Sequence, residues 1–280
     1  MDKRQIGIVK ALFRYPVKSM LGEGVDEFEV SAKGVVGDRA YALREVSGRV
    51  VTAKKWANML EFSARYDSTP AADGLAPIRI ELPGGRAIHA QDPDASTVLS
   101  TVLGRKVTLE RANAEEHSRA EINPRTVFSD VPVEDVQPGF TAATLPDTFA
   151  LRHGTFFDSA FIHVLASSTL RHMRSLIGDD AQIDPRRFRP NIYVETEDSS
   201  EAFVEDEWLD GTLAVGDSVT IVGMRQALRC VMTTHRQGDL ARDLRVLRTA
   251  AQHHQARVGV FASIGAPGRV RVGDPVWLIK

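Results

Sequence analysis

The chain has 280 residues, 26% of them charged and 43% hydrophobic, with a formal net charge of −2. That length admits one large or two modest domains with a substantial core, and the near-neutral balance gives no electrostatic reason to bind nucleic acid or an anionic membrane surface. The charged start Met1-Asp2-Lys3-Arg4 does not lead into a signal segment, no apolar stretch reaches membrane-spanning length, and one free cysteine suits a reducing, cytoplasmic setting.

Strands dominate the reading in chain order. Ile6, Ile8, Leu12, Phe13 and Tyr15 form a β-prone run halted at Pro16; Val25, Phe28 and Val30 make a second, Tyr41 and Leu43 a third. Ile78-Arg79-Ile80-Glu81-Leu82 alternates into the turn Pro83-Gly84-Gly85. Asp94 is placed to cap a helix carrying Val98, Leu99, Val102 and Leu103 on one face, with Gly104 as its stop, before a strand at Lys106 to Glu110. Residues 111 to 150 read as a connecting segment, punctuated by Asn123-Pro124, Pro132, Pro138-Gly139 and Pro146-Asp147.

Beyond it, Phe161 to Leu165 reads as a strand, and Ser167 or Ser168 as the cap of a helix with Leu170, Met173, Leu176 and Ile177 inward, ending at Gly178. Asn191 to Val194 and Val219 to Val222 are strands; 240 to 254 reads as a helix with Leu240, Leu244, Leu247 and Ala251 near one face; Val258 to Ile264 and Val276 to Ile279 are closing strands. Ala214-Val215-Gly216-Asp217-Ser218-Val219 is echoed by Arg271-Val272-Gly273-Asp274-Pro275-Val276, two Gly-Asp corners of the kind a closed barrel needs. The expected fold is mainly β with a few helices (α+β): a β-barrel-like N-terminal subdomain, 1–120, and a β-barrel domain, 121–280.

Several chemistries lack their motifs. There is no G-x-S-x-G elbow, P-loop, G-x-G-x-x-G after a strand, or H-E-x-x-H, and adjacent His253 and His254 point about 100° apart on a helix and read as a solvated helix end. Three basic clusters border backbone irregularities: Tyr15-Pro16-Val17-Lys18-Ser19, Gly37-Asp38-Arg39, and Arg186-Arg187-Phe188-Arg189-Pro190-Asn191. Cations beside hydroxyls and backbone N–H groups suit an anion, and an asparagine amide can pair with a heterocycle edge. Each cluster taken alone reads as a solvated charged loop. Cys230, between Arg229 and the Thr233-Thr234 pair, is the only cysteine. It cannot by itself build a zinc site, an iron–sulfur cluster or an intramolecular disulfide, so it is an apolar core residue or, if it does chemistry, acts alone or as one thiolate ligand to a cofactor that brings its other ligands.

Taken together, Y-P-V-K-S, G-D-R, F-R-P-N-I, E-D-x-W, G-D-x-V, R-C-x-x-T-T and the terminal V-G-D-P-V resemble the MOSC family, within it the bacterial relatives of the mitochondrial amidoxime-reducing component, from about residue 5 to the C-terminus. The resemblance implies an N-terminal β-barrel subdomain before a MOSC domain, and molybdenum cofactor (Mo-molybdopterin) as the prosthetic group; pyridoxal phosphate is not expected. It implies that Cys230 ligates molybdenum, that Lys18, Ser19 and Arg39 hold the pterin phosphate and its surroundings, that Arg189, Asn191 and Ser159 contact the pterin, and that Arg229 precedes the ligand as in the family. The implied activity is reduction of N-hydroxylated, amidoxime-type or related N–O or S–O small molecules, with electrons from a separate flavin or ferredoxin-type protein; the alternative is a non-catalytic cofactor or sulfur carrier. The chain departs from the family after Thr234, where His235-Arg236-Gln237-Gly238-Asp239 replaces the usual V-D-P-x-T-G in a loop expected near the substrate entrance.

Overall fold

The computed structural model describes residues 2–121, 128, 131–136, 139, 141, 148–197 and 202–280. The turn signals at Asn123-Pro124, Pro138 and Pro146-Asp147 lie outside the described residues. Seven strands close into a barrel: Ile192–Glu195, Ile162–Ala166, Arg257–Ala266, Val219–Leu228, Thr212–Val215, Pro275–Ile279 and Lys3–Arg14, the last pairing back onto Ile192–Glu195. Closure leaves these strands no free edge. Six of the seven follow residue 150, whereas the seventh is the start of the chain.

Lys3–Arg14 reaches two neighbours by dividing its length. Residues 3 to 8 pair with Pro275–Ile279, and residues 8 to 12 with Ile192–Glu195. Register shifts flank Gly7, where a Cβ would stand 2.2 Å from the Glu195 carbonyl oxygen, so only glycine lets the strands cross there. Ile162–Ala166 and Ile192–Glu195 are parallel and are joined through the helix Ser167–Ile177, as a parallel pair requires a crossover. The two echoed corners lie side by side: Gly216, in left-handed backbone, donates its N–H to the Pro275 carbonyl at 3.0 Å. The barrel interior is filled by Val9, Leu12, Val164, Trp208, Ile221 and Val276.

The first subdomain packs short sheets, including Tyr41–Glu45 with Val107–Arg111 and Ser63–Tyr66 with Ile78–Glu81 and Ala87–His89, on a second core around Met20, Leu43, Phe62, Ile80 and Leu99. It is contiguous with the barrel through Gly268–Arg271, which pairs with Glu27–Ser31.

Local expectations hold in outline and fail in detail where packing decides. The helix Ala95–Leu103 ends at left-handed Gly104, but Asp94 makes no capping hydrogen bond and Val102 faces outward. Ala166 rather than either serine occupies the cap of Ser167–Ile177, and Leu176 is exposed. Buried Glu205 supplies the missing cap from another element, accepting from the Ala166 N–H at 2.8 Å and from the Thr169 hydroxyl. The last helix is Arg245–His254, so Leu240 lies in the preceding loop. His253 is exposed as expected, but His254 is half-buried: it stacks on Phe203 with centroids 4.0 Å apart and hydrogen-bonds Asp206 at 2.8 Å. Among the described residues no helix is long and apolar enough to cross a membrane.

Candidate functional site

A cavity of about 520 Å³ opens between the first subdomain and the barrel. Cys230 stands on its wall, half-buried, where the strand Val219–Leu228 ends and the 3-10 turn Val231–Thr234 begins. The Cys230 carbonyl accepts from the Thr233 N–H and hydroxyl, both at 3.1 Å, and the Thr234 hydroxyl donates to the Val231 carbonyl at 2.7 Å. Both threonine hydroxyls therefore shape the turn that presents the thiol. Among the described residues, no three His, Cys, Asp or Glu side chains converge on a metal-sized site. A metal held at Cys230 would take its other ligands from outside those side chains.

All eight residues singled out from the sequence line this one cavity: Lys18, Ser19 and Arg39 from the first subdomain, and Ser159, Arg189, Asn191, Arg229 and Cys230 from the second half of the chain. Three of them, Ser19, Arg39 and Arg189, have left-handed backbone (φ 67°, 47° and 56°), which six non-glycine residues adopt among those described. Each such residue costs roughly 1–2 kcal/mol. Half of that strain is thus stored at one cavity, turning short loops so that their side chains face inward.

The cations are held by the protein itself. Lys18 Nζ donates to the Phe156 carbonyl at 2.7 Å and to the Asp158 carboxylate. Burial pushes its pKa down to about 8, against the opposing pull of Asp158. Lys54, which the sequence reading overlooked, bonds the other Asp158 oxygen at 2.8 Å and lies 4.0 Å above the Phe149 ring. Burial acts to lower its pKa, but Asp158 and Cys230 outweigh that and raise it. Between the two ammonium groups the Asp158 carboxyl is held well below the usual carboxylate range although burial opposes this. Arg189 donates to the Met20 carbonyl at 2.7 Å and sits 4.1 Å from the Tyr15 ring centroid, with Arg39 4.6 Å from the same centroid. Burial first, then Arg39, brings Arg189 down to about 10.

Arg229 binds the Ala227 and Phe188 carbonyls at 2.9 Å each, yet its second Nη is buried without a hydrogen-bond partner among the described residues. A buried, unsatisfied guanidinium donor beside the only thiol is where an anionic acceptor fits. Ser159 contributes its carbonyl to Arg225 at 2.6 Å and Arg152 at 3.2 Å, placing Arg225 at the mouth of the cavity.

Asn191 differs from the sequence expectation. Its amide donates to the Asp38 carboxylate at 2.9 Å and the Phe13 carbonyl at 3.3 Å, and its oxygen accepts from the His163 N–H at 3.2 Å. With both donors spent inside the protein, Asn191 braces the cavity wall, and its edge is not free to read a heterocycle. Asp38, in the middle of Gly37-Asp38-Arg39, is the unrecognised hub: it also accepts from the Tyr15 N–H at 2.8 Å and from Arg39. Arg187 is likewise unlike its neighbour. Arg186 is exposed between Asp184 and Asp239, whereas Arg187 is buried and donates to the Gln182, His235 and Ala241 carbonyls. The loop from His235 does not border this cavity, whose lining on that side ends at Thr233.

Residues 6–119 match the MOSC N-terminal beta barrel domain and residues 152–277 match the MOSC domain. The chain is 24% identical to mitochondrial amidoxime-reducing component 1 of Mus musculus, over 99% of this chain and 83% of that protein. It is 26% identical to mitochondrial amidoxime reducing component 2 of Rattus norvegicus, over 98% and 84%. Molybdenum cofactor sulfurase of Oryza sativa subsp. japonica is 22% identical, over 91% of this chain and 32% of the plant protein. With one matched domain forming the first subdomain and the other most of the closed barrel, this chain is a MOSC-domain protein.

Proposed function

We propose that this chain is a molybdenum-cofactor-dependent reductase acting on N-hydroxylated, amidoxime-type small molecules or related N–O or S–O compounds. The observation that carries the reading is the meeting of the only thiol with Lys18, Arg39, Arg189 and Arg229 around one cavity. The donor set suits an anionic group bearing a soft metal: one thiolate, several cations, and a buried Arg229 donor with no partner among the described residues. In this reading the subdomains 1–120 and 121–280 hold the group between them. Cys230 Sγ offers the metal its protein ligand. Lys18, Ser19, Arg39 and Arg189 face the pterin phosphate and ring system, Arg229 and Ser159 support it, and Asn191 keeps the wall in place through Asp38. The cofactor supplies two-electron redox chemistry; the protein supplies position, charge and a partly apolar enclosure from Phe128, Phe149, Phe157 and Phe261.

In the overall reaction the substrate N–O bond breaks, two electrons and two protons are consumed, and the products are an N–H compound and water. The electrons come from a separate flavin or ferredoxin-type protein, since Cys230 leaves no other thiol here to hold a cluster. A reducing, cytoplasmic setting accords with a functional free thiol.

The test is molybdenum and pterin per chain on protein made in a cofactor-competent host, followed by turnover of an aromatic amidoxime. Reduced viologen should drive the reaction, and NADH alone should not until a reductase is added. NADH oxidation by the homogeneous single chain would falsify this assignment of electron supply. Because Cys230 is partly accessible, a cofactor or sulfur carrier is the second reading. Stoichiometric cofactor without turnover under any donor would select it.

A further inference from the structure

From the loop that departs from the family pattern, His235, Arg236 and Gly238 line a second cavity of about 610 Å³. Its opposite wall comes from the first subdomain, with Leu21, the 3-10 turn Ala57–Glu61 and Pro83. Met232 and Thr233 line the first cavity and His235 and Arg236 the second, so one short segment after Cys230 is a wall of both.

The second cavity carries uncompensated positive charge. The nearby acids of the loop are already paired, Asp239 with Arg186 at 2.8 Å and Asp243 with Arg245 at 2.8 Å. Arg236 and Arg242 have no hydrogen bond or ion pair with any described side chain, and Glu61, the one carboxylate in the lining, pairs with neither. His235 Nε2 is buried without a hydrogen-bond partner among the described residues, while the ring bonds the Ala53 backbone. Two exposed, unpaired guanidinium groups lining one cavity suit an anionic ligand. Leu21, Ala57, Leu60 and Pro83 supply an apolar floor, which bare phosphate would leave unused.

We propose that this second cavity binds a small organic carboxylate with an apolar body, its carboxylate on Arg236 and Arg242, and that its occupancy changes the exposure of Cys230. The physical link is short. Gln237 Nε2 donates to the Met232 carbonyl at 3.0 Å, and Arg187, which lines the first cavity, donates to the His235 carbonyl at 3.2 Å. A ligand that draws His235 and Arg236 inward therefore pulls on the turn presenting the thiol.

The inference stands apart from the cofactor reading and is tested on the full chain made in a host lacking molybdenum cofactor. Benzoate and inorganic phosphate are titrated separately by calorimetry into wild type, R236Q/R242Q and K18A, the last weakening the first cavity. Benzoate should bind more tightly than phosphate, at least tenfold more weakly to R236Q/R242Q, and unchanged to K18A. Cys230 is the only thiol, so its rate of modification by a disulfide reagent reports it alone. That rate should shift at least twofold with benzoate in wild type and not in R236Q/R242Q. Both arginines are exposed and unpaired, so the variant should stay folded. Absence of benzoate binding, loss of binding in K18A rather than in R236Q/R242Q, or tighter binding of phosphate overturns the site; binding with an unchanged thiol rate overturns the link.

Discussion

Asn191 donates an amide N–H to the buried carboxylate of Asp38, 2.9 Å away and 153 residues earlier in the chain. The same carboxylate accepts from the Tyr15 N–H and from Arg39. One side chain thereby ties together the loop leading to Lys18 and Ser19, the loop bearing Arg39, and the loop bearing Arg189. The site is a clasp between distant segments, and its centre is an acid.

Asp38→Asn should therefore be costly although it is nearly isosteric. The new amide keeps a single oxygen, so its N–H group must face either the Tyr15 N–H or the donors of Asn191 and Arg39, and the partly buried Arg39 guanidinium loses its counter-charge. Breaking one partner of such a buried set costs about 3–5 kcal/mol. Urea unfolding should show that loss, and a change under 1 kcal/mol would contradict the hub role.

Cys230→Ala should separate stability from metal content. The thiol is half-buried, so unfolding stability should fall by no more than about 1–2 kcal/mol. Molybdenum per chain should drop to background in protein from a cofactor-competent host. Wild-type molybdenum in the alanine variant counts against the thiolate ligand.

Arg189→Lys should lose pterin while Arg186→Gln keeps it. Lysine retains the charge but not the planar fork that spans Tyr15 and the Met20 carbonyl, whereas Arg186 is exposed and paired only with Asp184 and Asp239. Arg187 is no neutral control, because it braces the loop after Cys230. Pterin fluorescence after denaturation reads the outcome; the reverse ranking would mean the loop register is misassigned.

Glu205 offers a contrast between charge and hydrogen bonding. Burial raises its pKa, so its ionised form is disfavoured in the fold. Glutamine keeps an acceptor for the Ala166 N–H and should stay within about 1 kcal/mol of wild type at pH 7. Alanine leaves that N–H unsatisfied and should cost about 2–3 kcal/mol. Equal losses for both variants would show that packing rather than the cap is at stake.

Lys18 predicts a pH signature. Burial holds it at about 8 in the fold, while an unfolded lysine titrates near about 10.4. Between those values the unfolded chain binds more protons, so the Lys18 contribution to stability rises with pH. Wild type should gain on Lys18→Met from pH 8 towards pH 10 in urea midpoints, and a pH-independent difference would refute it.

The β-rich character, the Gly-Asp corners and the family were legible in the sequence because they rest on local alternation, turn chemistry and short motifs. Of the eight candidate residues, seven stand in such motifs, whereas Ser159 lies in none and was singled out only through the family resemblance. Lys54 and Asp158 were not legible: Thr52-Ala53-Lys54-Lys55 reads as an ordinary polar run until Phe149 and Asp158 meet it across the chain. Nor could the motif reveal that the Asn191 amide is already spent, or that Arg187 is buried beside exposed Arg186. Local sequence determines which backbone turns and side-chain chemistries are available at each position. Which donor meets which acceptor, and that the first strand of the chain closes a barrel otherwise built from its second half, was decided by tertiary structure, because burial and pairing belong to segments far apart in sequence and exist only once the chain has folded.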